Sequence, residues 1–167
     1  MSQNDEQRFV ERHLIESLGP LVAMRETGHE RWLDIGSGGG LPAIPLALAG
    51  LGRRWVLVES RRMKTLFLQK VKQEMKLDHV EMVCARIEKM EPPEPFMGVT
   101  SRATLSLAST LNEAARFVAT GGTAFLWKGE RRFDEMREDA SWRERWAEER
   151  TLPLPDTSTV VMSFIRK

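Results

Sequence analysis

Arg31-Trp32-Leu33-Asp34-Ile35-Gly36-Ser37-Gly38-Gly39-Gly40 runs from a short apolar block into a five-residue loop holding four glycines. Leu41-Pro42-Ala43-Ile44-Pro45-Leu46-Ala47 follows directly. The block 31–35 reads as a strand, and 41–51 as a helix with Pro42 in its first turn, where the missing N–H costs nothing. Glycines between a strand and a helix present bare main chain, because glycine accepts positive φ and lets a ligand approach the backbone. The loop then lies at the carboxyl end of the first strand, where open α/β sheets bind their ligands.

Flanking segments repeat the same alternation. A leading helix is expected over Phe9 to Met24, with Val10, Leu14, Leu18, Leu21 and Val22 at helical spacing and a break near Gly19-Pro20. Trp55 to Val58 is a continuous apolar run, as in a strand buried on both faces. Met63 to Met75 has helical spacing, and Val80 to Cys84 reads as a third strand. Glu91-Pro92-Pro93-Glu94-Pro95 is a loop, since its prolines fit neither a central strand nor a helix interior. Met97 to Ser101 makes strand four, Leu105 to Phe117 a helix, Gly121-Gly122 a turn and Thr123 to Trp127 strand five. A charged helix is expected over Phe133 to Trp146, with Trp142 and Trp146 packing from one face, and a closing strand over Thr159 to Ile165. Alternating strands and helices imply βαβ units and a mainly parallel sheet. The nine methionines read as gap-fillers of the core.

The glycine spacing narrows the ligand. A phosphate loop needs a Lys after its last glycine, and the dinucleotide fingerprint needs glycine where Leu41 stands. What remains is Asp34-x-Gly36-x-Gly38-x-Gly40, with the acid Glu59 closing the second strand. A carboxylate there accepts both hydrogen bonds of a ribose diol and repels a phosphorylated ribose. These features favour an adenosine-type ligand without a pyrophosphate, with S-adenosylmethionine the natural candidate. Asp34 either braces the loop or meets the ligand's ammonium group.

Composition sets the outer limits. The chain has 167 residues, 41% hydrophobic, with 25 basic and 24 acidic residues for a net charge of +1. These values fit one globular domain over 1–167, with 1–30 as a helical leader, and exclude a disordered or collagen-like chain. The single cysteine, Cys84, excludes an intrachain disulfide and a cysteine zinc knuckle, and no metal site is expected. Charges interrupt every apolar stretch before the ~18 residues of a membrane span, and the polar N-terminus lacks the apolar core of a secretory signal, so a cytoplasmic, membrane-free protein is expected; it is also expected to be monomeric. The near-neutral total hides unlike regions: positions 53–72 hold seven basic residues and one acid, positions 1–30 three and six. The first stretch reads either as phosphate-contacting or as a solvated helix face.

Leu33 to Ala47, with its Leu-Pro-x-Ile-Pro extension, resembles the first motif of the glucose-inhibited-division protein B family. Its members are bacterial methyltransferases acting on guanine N7 in small-subunit (16S) ribosomal RNA. Arg12-His13-Leu14-Ile15-Glu16-Ser17-Leu18, Glu59-Ser60-Arg61-Arg62-Met63-Lys64, Thr100-Ser101-Arg102-Ala103 and Trp127-Lys128-Gly129 resemble further blocks of that family. Family members usually carry a longer N-terminal segment, which is expected to bear on RNA docking more than on cofactor binding.

The resemblance implies a Rossmann-like class I S-adenosylmethionine-dependent methyltransferase fold, mainly parallel with an antiparallel closing strand. It also implies small-subunit ribosomal RNA, or an assembling small subunit, as partner. By resemblance Gly36, Leu41, Ile87, Glu88 and Arg102 line the cofactor pocket, joining Asp34, Gly38, Gly40 and Glu59 from the reading above. Arg102 and Lys128 are the catalytic candidates, and Arg12, His13 and Lys128 the substrate contacts. Each has a plainer reading beside it: a helix-surface carboxylate for Glu88, an ion-pair partner for Arg102 and Lys128, a packed histidine for His13. Rival functions are methylation of a small molecule or protein, and a non-catalytic cofactor-binding regulatory module.

Overall fold

Trp32 explains much of the sheet. In the computed structural model, which describes residues 3–91, 94–102 and 104–167, it lies in strand β1 (Arg31–Ile35). It is fully buried and stacks on Trp55 of β2 (Arg54–Glu59) at 5.5 Å between ring centroids. On the other side it pairs in register with Gly98 of β4 (Phe96–Arg102). A Cβ at Gly98 would stand 2.3 Å from the indole, so the glycine makes room for the ring that its neighbour strand supplies. The alternation of β1 and β2 sorts side chains by face. Trp32, Trp55 and Leu57 join the core beneath α2 (Leu21–Glu26) and α3 (Ala43–Leu48). Leu33, Ile35, Val56 and Val58 join the core beneath α5 (Leu107–Ala114).

With β3 (Val80–Cys84), β5 (Val118–Lys128), β6 (Trp146–Pro153) and β7 (Val160–Arg166), the sheet has seven strands in the order β3-β2-β1-β4-β5-β7-β6. Strands β3, β2, β1, β4 and β5 run parallel, whereas β7 and β6 are antiparallel to their neighbours. The strand order reverses between β1 and β4, and that switch point opens a crevice at the carboxyl ends of the strands. The expected α/β class and closing strand are present, and β6 is a second antiparallel strand that the sequence reading missed. Among the described residues, no helix is long and apolar enough to cross a membrane.

Several expected elements differ. The helix predicted over 133–146 is only α6 (Arg132–Glu138) and a 3-10 turn (Ser141–Glu144), with Trp146 opening β6. Trp142 and Trp146 are both buried but do not share a helix face: Trp142 meets Phe164 edge-on, and Trp146 donates its Nε1–H to the Leu111 carbonyl. Gly121-Gly122 is no turn but a bulged stretch inside β5. There the pairing jumps from Phe96–Val118 to Gly98–Thr123, and a Cβ at Gly122 would crowd the Met97 carbonyl.

The leading helix breaks where expected, into α1 (Gln3–Leu18) and α2, but only part of the apolar stripe is packed. Of the stripe, Leu18 and Leu21 pack against the core while Val10, Leu14 and Val22 are exposed, and Glu16 and Ser17 are buried through polar contacts. On α4 (Arg62–Met75), Thr65 and Leu68 face the sheet, whereas Met63, Leu66, Phe67 and Met75 are exposed. Those methionines are therefore not core fillers. Pro92, Pro93 and Ala103 of the motifs quoted above lie outside the described residues, as do Met1 and Ser2.

Candidate functional site

A cavity of about 560 Å³ opens at the carboxyl ends of β1, β2, β3 and β4, within the ~300–1,000 Å³ typical of ligand pockets. One wall is the glycine loop. Gly36 and Ser37 donate their N–H groups to the Val58 carbonyl, and Gly40 to that of Ser37, which curls the loop onto the end of β2. Gly36 (φ 71°) and Gly38 (φ 55°) occupy the left-handed region, where a side chain is strained. A Cβ at Gly38 would meet no protein atom closer than 3.8 Å, so the loop keeps open space there, against the cavity that Gly38 lines.

Glu59 ends β2 nearly buried and lines the cavity. Its Oε2 accepts from the Gly38 N–H at 2.9 Å and its Oε1 from the Arg61 N–H at 2.8 Å. The carboxylate is thus oriented by backbone donors rather than by a cation. Beneath the loop, Asp34 is 1% exposed. Its Oδ1 accepts from the Thr100 hydroxyl at 2.6 Å, and Oδ2 has no partner among the described residues. Burial pushes this carboxyl up to about 6; the Thr100 and Ser37 hydrogen bonds pull it down and the Glu59 charge adds to the rise. Asp34 does not line the cavity; it braces the loop and β4 from below.

The opposite wall is built from α1 and the end of β4. Arg102 donates from Nη2 to Nδ1 of His13 at 2.7 Å and to Glu16 Oε2 at 2.5 Å. Glu16 also receives Arg12 Nε at 3.1 Å, and Arg12 reaches Thr157. The Trp127 indole N–H donates to the Glu16 carbonyl at 2.7 Å, anchoring the helix over β5. Burial of Glu16 raises its carboxyl, but the Arg12 hydrogen bond, the Arg102 charge and Thr157 together hold it below the usual carboxylate range. The Arg102 Nη1 is buried with no acceptor among the described residues.

Of the expected residues, Gly36, Gly38, Leu41, Glu59, Ile87, Glu88, Arg102 and His13 meet around this cavity. Gly40 lies behind it, where a Cβ would strike Ile44 and Leu68. Arg12 is exposed and reaches the site only through Glu16. Lys128 does not line the cavity: its Nζ donates to the Leu105 carbonyl at 3.1 Å and pairs with Glu135 at 2.8 Å. Glu135 in turn accepts the Leu107 N–H, so the pair clamps the loop carrying Thr104 and Leu105, both of which face the cavity.

The basic run at 53–72 divides. Arg53, Arg54 and Lys70 are paired with Glu30, Glu81 and Glu74. Arg61 and Lys64, without an ion pair among the described residues, line the cavity together with Arg86. The sequence reading did not single out Glu16, Lys64, Arg86 or Thr104. For Glu16 a signal existed, an Arg–Glu pair at i,i+4 on a helix, which brings both side chains to one face.

This arrangement, a glycine loop, an acid ending β2 and a cavity at the switch point of a β3-β2-β1-β4-β5 sheet, defines the class: the fold is that of the class I S-adenosylmethionine-dependent methyltransferases. Solved structures of that fold superpose on the chain. An rRNA methylase from Streptococcus thermophilus matches with a TM-score of 0.61 at 15% identity, over 83% of this chain and 87% of that one. The N-methyltransferase NodS from Bradyrhizobium japonicum, in complex with S-adenosyl-l-homocysteine, matches with a TM-score of 0.68 at 14% identity, over 93% and 86%.

The chain belongs to the rRNA small subunit methyltransferase G family, whose model matches residues 1–152. A curated relative from Ectopseudomonas mendocina, named ribosomal RNA small subunit methyltransferase G, is 41% identical over 134 residues, 80% of this chain and 62% of the relative. One of the same name from Stutzerimonas stutzeri is 46% identical over 103 residues, 62% and 47%. The chain thus spans less than two thirds of the length of these relatives.

Proposed function

We propose that this chain transfers the methyl group of S-adenosylmethionine to N7 of a guanosine in small-subunit (16S) ribosomal RNA, residues 1–167 acting as one cytoplasmic catalytic domain. The observation that carries the reading is the cavity itself. It has a bare backbone wall at Gly36 and Gly38, a carboxylate already oriented at Glu59, and the guanidinium of Arg102 on its opposite side.

These residues fit the cofactor. Glu59 suits a ribose diol, because its carboxylate offers further lone pairs beyond the two it spends on backbone N–H groups. Ile87, buried after β3, and the adjacent Glu88 suit the adenine. The Arg102 guanidinium, which lines the cavity, suits an anionic or carbonyl oxygen. When bound, S-adenosylmethionine supplies an electrophilic methyl group.

The chain's own task is then placement. Guanine N7 carries an in-plane lone pair and no proton, so no general base is required, and alignment and exclusion of water lower the barrier. Arg61, Lys64 and Arg86 put positive charge at the cavity, where a phosphodiester backbone would approach. A guanine in a loop or splayed segment is the accessible target, since unstacked RNA bases are the readable ones.

The test is to map modified nucleotides in small-subunit ribosomal RNA from cells lacking the gene. Loss of one N7-methylguanosine, restored by the expressed chain, is expected. An unchanged N7 methylation pattern would refute the assignment.

A further inference from the structure

Arg102 is held in a way the proposed reaction does not by itself require. Its guanidinium could pair with solvent or with any surface carboxylate, yet it is tied to α1 by two contacts from a single nitrogen, to His13 and to Glu16. Glu16 is 3% exposed, and its carboxylate is shared: Oε1 takes Arg12 and Oε2 takes Arg102. A buried carboxylate between two guanidiniums is favourable only while both stay, because removing either leaves charge uncompensated. The same helix turn is fixed independently, by the Trp127 indole on the Glu16 carbonyl and the Ser17 hydroxyl on the His13 carbonyl. The carboxylate therefore has a rigid base. With Nη2 engaged on this side, the planar fork presents Nη1 elsewhere, buried and without an acceptor among the described residues. An arginine N–H can only donate, so the His13 Nδ1 in this contact accepts, and the imidazole acts as a second stop on the same fork.

We infer that Glu16 is a positioning residue: with His13 as the second stop, it holds the Arg102 guanidinium in place at the cavity wall before the cofactor arrives. The inference rests on the reading of the cavity as an S-adenosylmethionine site. The orientation is preorganised, so affinity is gained by avoiding the cost of ordering a long side chain on binding. Helix α1 then belongs to the site, although only His13 of its described residues lines the cavity.

The experiment is a double-mutant cycle on the full chain, with S-adenosylmethionine as the titrant in calorimetry and circular dichroism to check the fold. Glu16→Gln keeps the shape and the carbonyl acceptor but removes the charge. It should weaken binding by about tenfold, the scale of a charge-assisted hydrogen bond. In an Arg102→Ala background the same substitution should change affinity by less than about twofold, because its route to the ligand is gone. Glu16→Asp should recover part of the loss, since the charge returns on a shorter arm. A Glu16→Gln variant that binds as tightly as the natural chain would overturn the inference. So would an equal loss in both backgrounds, which would mark Glu16 as an anchor of α1 only. If Glu16→Gln fails to fold, the comparison of Glu16→Asp in the two backgrounds decides by the same criteria. Failure of the natural chain to bind S-adenosylmethionine would instead refute the reading of the cavity, a distinguishable outcome.

Discussion

The two walls of the cavity hold buried acids in opposite electrostatic settings. On the glycine-loop side, Asp34 has only hydroxyl partners and no cation among the described residues, and burial pushes its carboxyl up to about 6. On the α1 side, Glu16 is almost as buried, but Arg12 and Arg102 hold its carboxyl below the ordinary range. Burial raises both carboxyls; at Glu16, set less deep, the two guanidiniums outweigh it, and at Asp34 nothing does. The first wall is shaped by main chain, with Gly36, Gly38 and Gly40 at positive φ. The second is a charge network whose parts can be removed one at a time.

The sharpest way to break the first wall is Gly38→Val. It places a branched side chain at φ 55° and points it into the open space by the loop. Cofactor binding should fall below detection by calorimetry, whereas the core, which this residue does not touch, should keep the thermal transition cooperative. Retained binding would mean that the loop is not the ligand surface. On the second wall, Arg102→Ala should reduce turnover on ribosomal subunits by about 100-fold, the scale of one lost charge-assisted contact in a site. A wild-type rate would return Arg102 to the role of a structural ion pair.

The two acids predict opposite pH slopes of stability. The folded Asp34 keeps its proton up to about pH 6, while the unfolded chain releases it near 3.8. Its contribution is therefore fully present below 3.8 and is lost as pH rises through 6, on the order of 2–3 kcal/mol. Glu16 has the reverse sign: its lowered value contributes above its ordinary 4.5 and is lost as pH falls below it. Urea titrations at pH 4 and pH 7.5 should show that Asp34→Asn gains stability over the natural chain at the higher pH. Glu16→Gln should lose more at pH 7.5 than at pH 4. Equal effects at both pH values would remove the contrast.

The smallest expected effect concerns Lys128. If it serves the cavity by clamping the 104–107 loop to α6, Lys128→Met and Glu135→Gln should each lower turnover by only a few-fold and to similar extents. A loss for Lys128→Met far beyond that for Glu135→Gln would restore a direct contact with substrate.

Periodicity located the parallel strands closely, because strands buried on both faces read as unbroken apolar runs: β1 and β3 were expected over the residues they occupy. It failed on α1 and on the segment after α6. Val10 and Leu14 are helical in spacing yet exposed, while Leu18 packs on the core and Glu16 is held by Arg102 and Trp127, partners far away in the chain. Trp142 and Trp146 sit four apart, but both indoles are claimed by other elements, Phe164 of β7 and Leu111 of α5. That tertiary packing overrides the local helical preference.

The glycine loop and its acid were legible in the sequence because backbone conformation and close approach are local demands, met by local residues such as Gly36, Gly38 and Glu59. Whether a charge was free, paired or perturbed was not local. Arg102, Glu16 and Lys128 have partners 86, 86 and seven positions away, and Asp34 is met by a hydroxyl that β4 brings against it, Thr100, 66 positions away. The sequence by itself determined the parallel strands, the glycine loop and the acids Asp34 and Glu59; the tertiary structure alone decided how each buried acid is partnered and what holds Arg102 at the cavity.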